Sequence, residues 1–204
     1  LIDLITEFAL EQSIAQLAEW NKAGINISVS VNISTHNLLQ PGFTDFILGL
    51  LSQYELNGDM LELEITEGAL MMDVERTIDE LRRLSKLNIV ISIDDFGTGY
   101  SSLQYLHQLP ISLIKIDQSF VRRLPSDQGA AYILEAAVML AHNMGIKAIA
   151  EGVENKEVYE FLNNIGCDMA QGYMISRPLP VEDFNKWYAA CNGQFPIPNH
   201  PATM

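Results

Sequence analysis

Four short acidic strings punctuate this sequence, each at the end of an apolar run: Glu64-Ile65-Thr66-Glu67, Asp94-Asp95-Phe96-Gly97, Lys115-Ile116-Asp117 and Glu151-Gly152-Val153-Glu154. Carboxylates gathered at successive strand ends, with few Lys or Arg partners, repel one another unless divalent cations sit between them. The chemistry these residue types suggest is that of a metal-dependent enzyme. Asp94 and Asp95 are the sharpest case. Neighbouring residues on a strand face opposite ways, but a turn into Phe96-Gly97-Thr98-Gly99 would bring both carboxylates to one site. One could then bridge two ions while the other binds a single ion. A helix cap or a turn pair is the structural alternative. Asp95-Phe96-Gly97 also spells the metal-binding triplet of protein kinases, but neither a glycine-rich loop nor a His-Arg-Asp loop precedes it in this sequence.

Other polar residues interrupt apolar strands. Glu62 and Glu64 alternate with Leu61, Leu63 and Ile65, which puts them on one face, and Glu62 reads as a solvated strand residue. Asn32, amid Val29, Val31 and Ile33, is either a ligand or an internally bonded core amide. Lys115, in Leu113-Ile114-Lys115-Ile116, is out of place on a strand covered on both faces. Beside carboxylates it could orient or deprotonate a water, or it could form a structural ion pair with Asp117. Glu151 closes the run Ala148-Ile149-Ala150. In Gln171-Gly172-Tyr173 an amide could read a base edge while the aromatic ring stacks. Met139 and Met144 read as helix core, and His36, His107, His142 and His200 show no ligand spacing.

The elements that must position these residues follow from hydrophobic periodicity. Strands are predicted at Ile27 to Ser34, Leu61 to Glu67, Ile89 to Phe96, Leu113 to Gln118, Lys147 to Val153 and Met169 to Ser176. Helical stretches lie between them. The first carries Leu4, Phe8, Ile14, Leu17 and Ala18 and ends near Gly24; the second follows Pro41-Gly42. A third has Asp73 as N-cap, a fourth runs from about Gly129 to Met144, a fifth starts after Asn155, and the last covers Val181 to Ala190. Strands alternating with helices require a parallel sheet with right-handed crossovers, either an open doubly wound sheet or a closed (β/α)8 barrel. Glycine-rich nucleotide fingerprints are absent, and polar residues recur at C-terminal strand ends, the pattern of barrel enzymes. A barrel needs eight strands and about 250 residues. Six strands in 204 residues leave about two unaccounted for.

The chain is long enough for one sizeable core, with 48% hydrophobic and 19% charged residues. No stretch approaches the roughly 20 apolar residues of a membrane span. Cys167 and Cys191 have neither paired framework nor CxxC spacing, which fits a reducing, cytoplasmic setting. Twelve Lys and Arg against 26 Asp and Glu give a net charge of −14, which argues against binding duplex nucleic acid or anionic lipid. A small anionic ligand held through metals remains compatible with that charge. Residues 191–204 carry Pro196, Pro198 and Pro201 and read as a loose tail after a domain spanning 1–190.

Taken in order, the strings resemble the EAL domain family of bacterial cyclic di-GMP phosphodiesterases. The residues that carry the resemblance are Val31-Asn32-Ile33-Ser34, Glu64 to Glu67, Asp94 to Ser102, Leu113 to Asp117, Ala150 to Glu154 and Gln171-Gly172-Tyr173. The resemblance implies a modified (β/α)8 (TIM) barrel, here with about six of its eight strands, whose site binds two Mg2+ or Mn2+ ions. Asn32, Glu64 and Asp94 would bind the first ion; Asp94, Asp95 and Glu151 would bind the second. Lys115 would position the attacking water, with Glu151 at the reaction centre, and Glu67 would pin the loop from Asp95 to Ser102. Gln171 and Glu154 would line the substrate. The implied reaction is in-line attack of water on cyclic di-GMP to give linear pGpG. The resemblance also implies a homodimer and an upstream sensory or GGDEF-type domain, with membrane tethering of the parent through upstream segments.

One departure accompanies the match. The sequence has no Glu-Ala-Leu string; Glu67-Gly68-Ala69-Leu70 and Leu134-Glu135-Ala136-Ala137 are near-misses in the wrong context. The expectation is truncation before that motif, with little or no turnover from residues 1 to 204 alone. The alternative function is a non-catalytic cyclic di-GMP receptor or a dimerisation module, against which the intact Asp94 to Ser102 string weighs.

Overall fold

The computed structural model describes residues 2–68, 73–99 and 106–191. Leu1, Tyr100 to Ser102 at the end of the aspartate string, and the proline-containing tail from Asn192 lie outside these residues. The six predicted strands form one parallel sheet in chain order: β1 (Val29–Asn32), β2 (Leu61–Thr66), β3 (Val90–Phe96), β4 (Leu113–Ile116), β5 (Lys147–Ala150) and β6 (Met169–Ala170). Each strand is shorter than its apolar run, β6 most of all, because the chain leaves the ladder where the polar strings begin. The sheet curls like part of a TIM barrel.

Helices cover one face. They are α1 (Ile2–Lys22), α2 (Thr35–Leu38), α3 (Phe43–Gln53), α4 (Val74–Ser85), α5 (Gln118–Val121), α6 (Gln128–Asn143), α7 (Lys156–Asn164) and α8 (Val181–Ala190). Leu63, Ile65, Ile91, Ile93, Ile114 and Ile116 are fully buried beneath them, and small Ala148 and Ala150 let β5 approach its helices closely. The residues between them in sequence belong to the other face, the barrel lumen. Among the described residues no helix is long and apolar enough to cross a membrane.

Several local expectations change. α1 buries Thr6, Leu10, Ile14, Leu17 and Ala18, a ridge at four-residue spacing that leaves Leu4 and Phe8 exposed. Met139 is 62% exposed rather than core, because α6 packs through Leu134, Ala137, Val138 and Ala141. Asp73 precedes α4 without making a capping hydrogen bond, whereas Asp127 caps α6 through the Gly129 and Ala130 amides. The short α2 was hidden in an extended-looking run; Ser34 and Asn37 form a reciprocal capping box there.

His142 takes a structural place. Its Nε2 lies 3.0 Å from Asp168 Oδ2, which also accepts the Ala148 amide at 2.8 Å, tying α6 and the start of β5 to the approach of β6. Burial alone would raise the Asp168 carboxyl, but the Ala148 N–H and the His142 ring more than reverse that and hold it below its ordinary value. A depressed carboxylate stabilises above its unfolded pKa and loses that contribution as the pH falls. Asp168→Ala is therefore expected to cost about 1–3 kcal/mol in urea denaturation at neutral pH. The gap to wild type should close as the pH drops below the ordinary carboxyl value of 3.8.

Candidate active site

Register brings the singled-out residues to one face. Asn32 pairs with Glu64 and Glu64 with Ser92; Ser92 pairs with Leu113, and Lys115 with Ile149. Asp94, Glu151 and, just beyond β6, Gln171 continue the same lumenal rows by two-residue steps. Ile93 pairs with Ile114, yet Phe96 pairs with Ile116, so β3 spends three residues where β4 spends two. The extra residue is a β-bulge, and Asp95 within it adopts the left-handed conformation at φ +55°. The turn expected after the strand is thus replaced by a bulge inside it. The bulge keeps both Asp94 and Asp95 off the helix-covered face while returning Phe96 to it.

Lys115 is the centre of the site. It is buried, with Nζ 2.8 Å from Glu64 Oε1, 2.7 Å from Glu151 Oε1 and 3.6 Å from Asp94 Oδ1. Burial works against its charge, but hydrogen bonds to Glu151 and Glu64 outweigh burial and raise its pKa above the ordinary lysine value. The second oxygen of Glu64 accepts from Asn32 Nδ2 at 3.1 Å. Lys115 makes no ion pair with Asp117. Asp117 instead caps α5 through the Ser119 amide, and its charge, after burial and Asp94, helps push the Asp95 carboxyl up. Burial is also the main cause of the raised Glu151 carboxyl; Lys115 opposes it, and Asp94 and Glu64 add to it.

Glu67 is buried at the end of the strand region, where Oε2 accepts the Gly97 amide at 3.3 Å and Oε1 has no partner among the described residues. A β-carbon on Gly99 would stand 3.3 Å from its carboxyl carbon. Glu62 is half-buried rather than solvated, and its Oε1 is likewise enclosed and unpartnered. Beside Glu151 opens a cleft of about 170 Å3 lined by Gln118, Arg122, Glu154, Gln171 and Tyr173. Glu154 meets Arg122 across it at 3.2 Å, and Arg177 stacks 4.5 Å from the Tyr173 ring centroid. Asp117, which ends one of the acidic strings, serves as a helix cap here. Gln118 and Arg122 carried no signal in the periodicity.

The donor set suits hard divalent cations. Asn32, Glu64, Asp94, Asp95 and Glu151 offer oxygen ligands only, and the single lysine leaves their charge in excess. Three of these carboxylates already converge on a cation, the Lys115 ammonium. Among the described residues no group of three or more acids, histidines or cysteines is already spaced to hold a metal ion.

Known proteins resemble this chain over most of its length. The model of the EAL domain family matches residues 1–178. The chain is 39% identical over 192 residues to the cyclic di-GMP phosphodiesterase NbdA of Pseudomonas aeruginosa, covering 92% of this chain and 24% of NbdA. It is 39% identical to the bifunctional diguanylate cyclase/cyclic di-GMP phosphodiesterase MucR of the same organism, covering 89% of this chain and 27% of MucR. The chain thus spans about a quarter of the length of these curated relatives. Among solved structures, the P. aeruginosa MucR phosphodiesterase in complex with c-di-GMP superposes with a TM-score of 0.86 at 38% identity, over 90% of this chain and 74% of that one. The EAL domain of Mycobacterium smegmatis DcpA gives 0.89 at 34% identity, over 93% of this chain and 86% of that one.

Proposed function

This chain belongs to the EAL domain family, and from that premise we propose that its parent protein hydrolyses cyclic di-GMP to linear pGpG. The observation that carries the reading is the convergence of Glu64, Asp94 and Glu151 on one buried cation at the C-terminal strand ends. Asn32, Glu64, Asp94, Asp95 and Glu151 would hold two Mg2+ or Mn2+ ions, which supply charge neutralisation at phosphorus and acidify a water when bound. Lys115, with its raised pKa, keeps its proton at Nζ. Its part is to orient the attacking water and balance charge rather than to act as a base. Glu151, paired with Lys115 at 2.7 Å, would stand beside that water as its proton acceptor.

Attack in line with one P–O3′ bond breaks that bond alone, so the ring opens to a linear dinucleotide. Glu67 accepts the Gly97 amide and would thereby fix the chain just after the bulge that carries Asp95. Gln171 and Glu154 would meet the substrate in the cleft beside Glu151. Tyr132, Ile133 and Met139 form an exposed apolar stripe on α6, which supports the expected homodimer. Two free cysteines are compatible with a cytoplasmic domain. The greater length of the relatives, and the cyclase named in MucR, support further domains in the parent protein, one of GGDEF type among them.

The test is incubation of the complete protein with cyclic di-GMP and Mg2+ or Mn2+, with nucleotides separated by chromatography. Release of pGpG that stops on adding EDTA is the expected outcome. Tight binding of cyclic di-GMP without release would instead establish a receptor.

A further inference from the structure

The structure points to a second role for Lys115. We infer that its ammonium is an internal counter-cation that holds the acid cluster closed, and that divalent ions must compete with it for Glu64 and Glu151. The inference rests on the metal reading above.

Lys115 comes from β4, whose two neighbours in the sheet are β3 and β5. Its contacts to Asp94 on β3 and to Glu151 beyond β5 are therefore local. The contact to Glu64 is not, since β2 is separated from β4 by β3. At that level β3 presents Ser92, which is fully buried with a hydroxyl oxygen that has no partner among the described residues. The small serine lets the lysine reach across the strand. Ammonium thus bridges acids drawn from three strands that would otherwise repel one another in a poorly hydrated lumen.

The oxygens it occupies, Glu64 Oε1 and Glu151 Oε1, belong to carboxylates expected on different ions, Glu64 on the first and Glu151 on the second. An ammonium sits about 2.8 Å from its acceptor and a small divalent ion about 2.1 Å. A cation of twice the charge placed among the same oxygens finds the lysine as a like-charged neighbour, and the Glu64 and Glu151 contacts to Nζ must loosen or break. Lys115 accordingly holds the carboxylates near their ligating positions while weakening each ion's grip on them.

The test is Mn2+ binding measured by calorimetry or electron paramagnetic resonance, alongside thermal unfolding with and without EDTA. Lys115→Met removes the charge and keeps most of the stem. It is expected to unfold at lower temperature than wild type in EDTA, to bind Mn2+ about tenfold more tightly, and to gain more thermal stability from it. Lys115→Arg keeps a permanent charge that binds carboxylates in a bidentate way, and is expected to bind Mn2+ about tenfold more weakly than wild type. If Lys115→Met fails to fold in EDTA, the Arg variant still reads the competition. Equal or weaker Mn2+ binding by folded Lys115→Met, or tighter binding by Lys115→Arg, would overturn the inference while leaving the metal site standing. Absence of Mn2+ binding in wild type and both variants would overturn the metal reading itself.

Discussion

In the complete protein, Asp94→Asn is expected to lower the proposed release of pGpG by about 10³-fold or more at saturating Mn2+, while the far-ultraviolet spectrum stays that of wild type. The substitution is close to isosteric and removes only charge. Asp94 Oδ1 accepts the Asp95 amide at 3.0 Å, and an asparagine carbonyl oxygen can take over that bond, so the bulge keeps its support. What is lost is the carboxylate proposed to be shared between two ions, at a point where Lys115 lies 3.6 Å away. A neutral amide there leaves the lysine with Glu64 and Glu151 alone and would take one negative charge from the shell of each proposed ion. A variant that kept a tenth or more of wild-type turnover would remove Asp94 from the bridging position.

Gly172→Ala is expected to damage the fold severely. A β-carbon at this position would lie 2.1 Å from the carbonyl oxygen of Val153 and 2.3 Å from its nitrogen. Neither atom can move away freely. Val153 donates its amide to Gln171 and accepts from Met174, both at 3.0 Å, so the segment after β5 and the segment after β6 are laced together there. Relief requires prising them apart, at a cost of about 4 kcal/mol or more. The measurement is the urea midpoint, or the soluble yield if the protein no longer folds. Gly24→Ala is a useful contrast: its β-carbon would meet nothing within 4 Å, and only the left-handed φ of +78° resists it. A loss of about 1 kcal/mol is the scale for that case. Similar midpoints for the two variants would show that the Val153 contact is soft.

The strands were legible because a parallel sheet buried on one side by helices repeats every two residues, and the lumenal polar groups Asn32, Glu64 and Lys115 stand out against that rhythm. Asn155 at the start of α7 was legible because capping is local chemistry. The bulge at Asp94–Asp95 was not legible. Aspartate tolerates the left-handed region without announcing it, and the apolar residues on either side fit an unbroken strand equally well. The partners of Lys115 were hidden for a different reason. Asp117 is close in sequence, whereas Glu64, the partner it takes, is 51 residues away and two strands over; only the curl of the sheet makes that distance short. Met139 misled because α6 has apolar residues all around and a hydrophobic stripe alone does not say which side is covered.

The one-residue excess in β3 has a consequence for how this site can change over time. A strand has a parity: every second side chain belongs to the same compartment, and a point substitution cannot alter that. An insertion can. With the extra residue in place, Ile93 and Phe96 share the greasy compartment although three steps separate them, and two consecutive acids are free of it. Removing either aspartate would restore the count, and the ladder would then close without a gap. The acid pair is in this sense a frameshift written into the backbone, and it makes the sheet less regular at the point where the chemistry is placed.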